Sequence, residues 1–320
     1  MRVGVIGAGL AGLSCARHLT AMGHVVRLFD KGRGPGGRMS SRRVDTSAGV
    51  ACFDHGAQYF TARDPSFLAQ VAQWEVQGIV APWPAVGADT WVGVPAMNAP
   101  VRCLAEECDV RFNRHARNLR RDAEGWWIGF DDGAEGPFDA TVVAVPAEQA
   151  APFLGLQDLA MARHATMARS QPCWTVMVAF DGAVPLSNDW LRDQGPVAWA
   201  ARNSAKPGRS GPESWVLQAS GAWSSLHLEA SAEFVCEALI AALVAMVPAG
   251  TQLPAILHCV AHRWRFAMAP GADSGVLWNA KIGLGACGDW LIGPRVEFAW
   301  LSGRKLADAM TIEPFDPETR

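Results

Sequence analysis

The chain has 320 residues, half of them hydrophobic and 18% charged, with a formal net charge of −3. That is enough apolar chain for two domains with buried cores, and it excludes a disordered polypeptide. Without a basic arm or stripe, neither nucleic acid nor an anionic membrane is an expected partner.

The predicted elements begin at once. Residues 2–6 are an apolar strand, Gly7, Gly9 and Gly12 give GxGxxG, and Leu10, Leu13, Ala16, Leu19 and Met22 mark one helical face. Residues 25–29 form a second strand that ends at Asp30. Strand, glycine turn, helix, strand and acid make a complete dinucleotide-binding unit. Gly7 allows the tight turn, Gly9 the approach of a pyrophosphate, and Gly12 close helix–strand packing. The helix N-terminus offers amides to phosphate, and Asp30 is placed to accept ribose hydroxyls. The opening run is read as this strand and not as a secretion signal.

Further along, residues 66–78 predict a helix with Phe67, Leu68, Val71 and Trp74 on one side, and 81–100 an irregular or edge segment. Short strands are expected at 110–112, 115–120, 125–130 and 138–145. From 151 to 282 the character changes. Strand-like runs at 173–180, 196–201, 214–219 and 256–264 surround one strong helix at 230–246, and tryptophan is dense. A strand at 282–287 and a helix at 296–310 follow. The apolar run 238–248 is too short to span a bilayer. Eight cysteines without a CxxC pair read as reduced cytosolic thiols, with no metal site and no disulfide framework. The expected organisation is an α/β nucleotide domain in pieces (1–65, 99–150 and 283–320), and a mostly antiparallel β substrate domain (66–98 and 151–282).

Nicotinamide and flavin dinucleotides share an ADP half, so the first motif leaves both open. Three segments favour FAD. Gly36, Gly37 and Arg38 form a second glycine turn with an arginine, Phe138–Pro146 is a buried strand ending in small residues, and Gly285–Asp289 brings Gly-Asp to the mouth of the last helix. An acid there suits a ribityl hydroxyl.

The series GxGxxG, acid, Gly-Gly-Arg and late Gly-Asp resembles the flavin amine-oxidase superfamily. Phe53–Phe60, Trp199–Pro207, His262–Ala267 and Gly288–Gly303 are similar to its renalase-like branch, especially the bacterial members. The resemblance implies a Rossmann-like FAD-binding domain of the p-hydroxybenzoate-hydroxylase type and noncovalent FAD. The implied activity is oxidation of misreduced dihydronicotinamide dinucleotides, the 2- or 6-dihydro forms of NAD(P), with oxygen reduced to hydrogen peroxide. An amine oxidase or dehydrogenase, or a non-catalytic flavin protein, remains an alternative. The implied cofactor contacts are Gly7, Gly9, Ala11, Gly12, Asp30, Lys31, Gly37, Arg38, His55, Gly56, Ala57, Gly288, Asp289 and Val296. The Ser-Gly-Cys flavin-attachment motif is absent, and Cys287 reads as strand packing.

No catalytic base stands out. The expected pocket residues are Gln58, Tyr59 (the chain's single tyrosine), Trp199, Asn203 and Trp264. Arg202, Lys206, Arg263 and Arg265 are the candidate contacts to substrate phosphates, the last two sharing one face of a strand. Trp174, Trp199, Trp223, Trp264 and Trp290 are the candidates for the cage an amine substrate would need, but most of the 14 tryptophans read as core or domain-interface residues. His55 reads as a hydrogen-bonded structural histidine near the cofactor, and Glu297 as a structural acid in the first turn of the last helix. The expected compartment is the cytoplasm.

Overall fold

The structure is a computed structural model describing residues 1–272, 274–313 and 315. It divides into two compact units.

The first unit comprises Met1–Gly37, Val101–Ser170 and the chain from Met268 onward. Its central sheet runs Leu277–Asn279, Leu284–Ala286, Ala140–Val143, Arg2–Ile6, Val25–Phe29 and Asp109–Arg111. All neighbouring pairs are parallel except the first. Val3 to Ile6 and Ala140 to Val143 are buried without alternation, the pattern of strands covered on both faces. The helix Leu10–Ala21 follows the first strand, and the last helix, Val296–Ile312, packs along it. Ser14 donates to the Trp300 carbonyl at 2.8 Å, and a methyl at Gly303 would overlap the Ala11 carbonyl oxygen. A three-stranded antiparallel sheet, Gly133–Phe138, Gly125–Phe130 and Asn118–Asp122, adds Trp126, Ile128, Phe130 and Phe138 to the core around Phe29.

The second unit comprises Arg38–Pro100 and Gln171–Ala267. Its antiparallel sheet runs Trp190–Gln194, Val197–Arg202, Glu213–Ala219, Gln171–Phe180 and Ile256–Met268. The strand Gln171–Phe180 alternates between two cores. Val176, Val178 and Phe180 meet Val235, Leu239 and Leu243 of the helix Ala232–Met246. Met177 and Ala179 meet Ala51 and Phe53 of the hairpin Ser41–Thr46 and Gly49–Asp54.

That hairpin explains why 38–65 lies in the second unit and not, as the expected boundaries have it, with the nucleotide domain. Its apolar face packs against the large sheet. Likewise 151–170 lies in the first unit. The helices Ala147–Gly155 and Leu159–Met167, which the sequence reading lacks, bury Ala150, Leu154, Met161 and Ala165 in the Phe29 core. Residues 268–282 also fall in the first unit, and the last five residues of the expected 283–320 segment lie outside the described ones. The segment 81–100 is more regular than expected, containing the strand Thr90–Gly93 between Phe60–Thr61 and Val80–Pro82. Among the described residues no helix is long and apolar enough to cross a membrane.

Candidate functional site

The strands Arg2–Ile6, Ala140–Val143 and Leu284–Ala286 end side by side, at the edge where parallel sheets receive ligands. Gly7 sits at φ +103, where a side chain would be strained and would also overlap the Ala144 carbonyl. A methyl on Gly12 would overlap the Gly7 oxygen, whereas one on Gly9 would meet nothing within 4 Å. The loop is therefore packed tightly behind and open at Gly9, on the side a phosphate would approach. Gly37, at φ +53, places its own missing methyl 3.6 Å from the Gly9 Cα, so the second glycine turn lies against the first.

Asp30 ties this loop together. One carboxylate oxygen accepts from the Ala8 amide at 2.7 Å and the other from the Gly32 amide at 2.6 Å. Each oxygen keeps a further lone pair for a ribose hydroxyl. At the adjacent strand end, the Gly288 amide donates to Ser302 at 2.9 Å, which donates onward to the Gly275 carbonyl at 2.7 Å. Asp289 is 7% exposed at the start of a short turn, and Val296 opens the last helix. Ala11 is buried beneath the loop, while Lys31 reaches the Gln149 side chain at 3.1 Å. Open glycine backbone, helix amides and a terminal acid fit the adenosine diphosphate half of FAD.

In the second unit buried charge gathers on Asp54. It accepts from the Met97 amide at 2.9 Å, Ser41 at 2.7 Å, Lys206 at 3.2 Å and Arg209 at 2.5 Å. The three charged side chains are 0–1% exposed. Burial pushes the Asp54 carboxyl up, but Lys206 and Arg209 outweigh it and hold it at about 2. Burial lowers Lys206 to about 8 against the opposing pull of Asp54. The ion pair therefore persists at neutral pH.

This arrangement corrects several sequence readings. Lys206, expected to meet a substrate phosphate, is enclosed with Asp54 and donates to the Gln58 oxygen at 3.1 Å. Arg202 is held by Asp189 at 3.2 Å and the Leu186 carbonyl at 2.6 Å. Arg263 and Arg265 do share a face, and both engage Glu229. Gln58 braces its own turn through the Asp54 and Gly56 carbonyls, and Asn203, 0% exposed, bonds the Cys52 carbonyl at 2.8 Å. These side chains hold the framework.

Two aromatic groups remain. His55 stacks on Trp264 at 5.3 Å, with His262 edge-on at 5.1 Å, and the Trp264 indole donates to the His55 carbonyl at 2.8 Å. Burial first, then the charges of His262 and Arg42, lower His55 to about 4, so it is neutral at pH 7. Its Nδ1 is buried with no partner. Next to it, a methyl on Gly56 would overlap the Arg38 carbonyl, which accepts from the Ala57 amide at 2.9 Å. Arg38, His55, Gly56, Ala57 and Trp264 are thus brought together.

The second group is a wall of Tyr59, Trp83, Trp190 and Trp199. Tyr59 lies 5.3 Å from Trp199 and 6.4 Å from Trp83, and Trp190 stacks on Trp199 at 5.3 Å. The Arg192 guanidinium lies over Trp199 at 4.9 Å and donates to the Tyr59 hydroxyl at 2.8 Å. Trp199 is 8% exposed, and its buried indole N–H has no acceptor. Sequence reasoning missed Arg192, Trp83 and Trp190. The signal was the alternation of Trp190 and Arg192 before the turn at Gly195, which sets Arg192 directly opposite Trp199 across the strands.

Comparison with known proteins adds two family matches. Residues 5–74 match an NAD(P)-binding Rossmann-like domain, and residues 85–310 match flavin-containing amine oxidoreductase. Three solved structures share the fold over almost the whole length. A protein provisionally named a protoporphyrinogen oxidase, from Exiguobacterium sp. 255-15, has a TM-score of 0.75 at 11% identity, covering 98% of this chain and 99% of its own. Cyclohexylamine oxidase from Brevibacterium oxydans IH-35A has a TM-score of 0.71 at 13% identity, covering 98% and 99%. Reduced UDP-galactopyranose mutase also has a TM-score of 0.71 at 13% identity, covering 99% and 97%. A scaffold shared by oxidases and a mutase leaves the reaction to be argued from side chains.

Proposed function

The chain belongs to the flavin-containing amine oxidoreductase family and is an FAD-dependent oxidoreductase; from that premise we propose a renalase-like oxidase of misreduced dihydronicotinamide dinucleotides. The substrate carries its hydride on ring position 2 or 6, and oxygen is the final acceptor, giving hydrogen peroxide. Noncovalent FAD, when bound, supplies the hydride acceptor.

The observation that carries this reading is Arg192 over the aromatic wall. A guanidinium repels a substrate ammonium at this range and attracts an anionic dinucleotide. Tyr59 and the three tryptophans offer flat faces to a neutral pyridine ring, and the unpaired Trp199 N–H offers a donor to its carboxamide oxygen. A dihydronicotinamide needs no base, because its ring nitrogen expels the hydride. That agrees with a unit whose buried acid, Asp54, is neutralised by Lys206 and Arg209.

Amine oxidation is the second reading. The family description, the cyclohexylamine oxidase fold match and the aromatic wall itself support it. Anaerobic stopped-flow bleaching of the flavin band separates the two: isomeric dihydronicotinamides should reduce the enzyme far faster than benzylamine, and the reverse order would select the amine. Arg192→Gln should raise the half-saturating dinucleotide concentration roughly tenfold, as loss of a charged contact does, while the limiting rate stays within a few-fold. The same reading places the protein in the cytoplasm, supported by eight unbridged cysteines.

A further inference from the structure

Each tryptophan of the aromatic wall already carries a cation of the chain. The Arg192 guanidinium lies over Trp199 at 4.9 Å and over Trp190 at 5.5 Å. The Lys206 ammonium lies 5.4 Å from the centre of the Trp83 ring. Trp83 and Lys206 are both buried, and Trp83 stands 6.4 Å from the half-buried Tyr59. The cluster around Lys206 does not cancel its charge. Asp54 is one carboxylate against two cations, Lys206 and Arg209, and the other groups bonded to Asp54 and Lys206 (Ser41, Gln58 and the Met97 amide) are neutral. One positive charge is left over. Arg192 has no carboxylate partner among the described residues. An aromatic cage holds an ammonium by ring faces that serve no other cation. A ring already drawn toward one cation is a poorer host for a second, and the two cations repel.

We propose that Lys206 and Arg192 make this wall discriminate by ring charge, holding the neutral ring of the substrate and expelling the cationic ring of the product. The inference rests on the dihydronicotinamide reading and deepens it. A dihydronicotinamide ring is neutral. When it gives up a hydride, a proton with two electrons, to the flavin, it is left as an aromatic pyridinium with one positive charge. Adenine, riboses and pyrophosphate are unchanged by that step, so the attraction of the anionic part to Arg192 is common to substrate and product. Only the ring changes, and it gains the sign that both flanking cations repel. Lys206 touches no ligand and acts through Trp83, as a specificity-determining residue. Its burial leaves its field little screened by salt. Burial lowers Lys206 to about 8, Asp54 and Cys52 pulling it up and Arg209 pulling it down. The charge is therefore present at pH 7 and lost as pH rises past 8.

Two dinucleotides that differ in the charge of the nicotinamide ring test this on the oxidised holoenzyme: NAD+ and its neutral 1,4,5,6-tetrahydronicotinamide form. Neither reduces the flavin, so binding is read from the shift of the flavin absorbance. The wild-type protein at pH 7 should bind the neutral-ring form more tightly. Lys206→Met should narrow the ratio of the two dissociation constants by about fivefold, the effect of one partly screened unit charge. Lys206→Arg should restore the ratio. A merely structural lysine would weaken both ligands together and leave the ratio alone. The wild-type ratio should also narrow from pH 7 to 9, where neither the ring charge nor the pyrophosphate titrates, and should stay flat in Lys206→Met. The wild-type arm needs no variant to fold. Equal affinity for both rings in the wild-type protein, or a ratio that neither the substitution nor pH moves, would overturn the proposal and leave the dihydronicotinamide reading standing. Binding of neither dinucleotide would overturn that reading, and the proposal with it.

Discussion

Asp54 neutralises two cations, and removing its charge exposes how the second unit is balanced. Asp54→Asn would leave Lys206 and Arg209 buried with no counter-charge, a change worth about 3–5 kcal/mol of stability. Lys206→Met should cost less, because Arg209 still faces Asp54 at 2.5 Å and the methionine fills the stem volume. Urea unfolding of both variants checks the order, and a milder loss for Asp54→Asn would show that the cluster is not an ion-pair network. His55 predicts an acid transition of its own. Its folded value of about 4 lies below the ordinary 6.5, so its contribution is whole above 6.5 and is lost as pH falls through 4. The full span is roughly 3 kcal/mol at 1.36 kcal/mol per unit. His262, lowered chiefly by burial, acts in the same direction. His55→Asn should flatten the fall in unfolding free energy between pH 6.5 and 4, and an unchanged slope would mean that the imidazole is already charged in the fold. The sequence singled out His55, Tyr59 and Trp199, and the fold sets each of them in an aromatic group. Lys206 was misread because its partner lies 152 positions away, and a single sequence does not pair a cation with a distant acid.

Among elements, the glycine loop was the most legible, since one short-range pattern specified strand, turn, helix and acid together. Its two central glycines are separable by experiment. Gly9→Ala adds a methyl into open space, so fold stability should stay within about 0.5 kcal/mol of wild type, while flavin content falls. Gly12→Ala forces a methyl into the Gly7 carbonyl and should lose both stability and flavin. Equal flavin occupancy in Gly9→Ala and wild type, read from absorbance against protein concentration, would remove the phosphate assignment. The helices at 147–167 were less legible because Ala-rich turns carry little apolar periodicity and Pro152 interrupts the first. A cap signal was nevertheless present: Asp158 accepts from the Ala160 and Met161 amides at 2.9 and 3.0 Å. Asp158→Ala should cost about 1 kcal/mol, measured as a shift in the urea midpoint. The hairpin 41–54 was missed for another reason. Its alternation is weak, and its buried face is completed by Met177, Ala179, Val216, Leu257 and Val260 from far along the chain.

For the whole molecule, the cofactor was more legible than the substrate. The Rossmann-like match over residues 5–74 rests on backbone geometry that glycines announce at residues 7–12, and the proposed cofactor contacts add a further glycine at 288. In the proposed reading, substrate recognition would rest on side chains such as Arg192, whose meaning depends on antiparallel register. The same contrast decides how the flavin is held. A covalent link needs a nucleophile that reaches the isoalloxazine. Cys287 is the cysteine nearest in sequence to the Gly-Asp turn, but it is 0% exposed, directly after a buried strand. Its backbone amide is held by the Val143 carbonyl at 3.2 Å. Reaching the cofactor would require breaking that strand end out of the sheet. Acid precipitation of the purified protein should therefore release all the yellow colour to the supernatant, and the pellet should give no flavin fluorescence after proteolysis. Cys287→Ala should behave identically, apart from a loss of stability for the vacated volume. Flavin carried on a peptide from the pellet would establish a covalent bond and would place its attachment point among residues that the glycine cradle does not include.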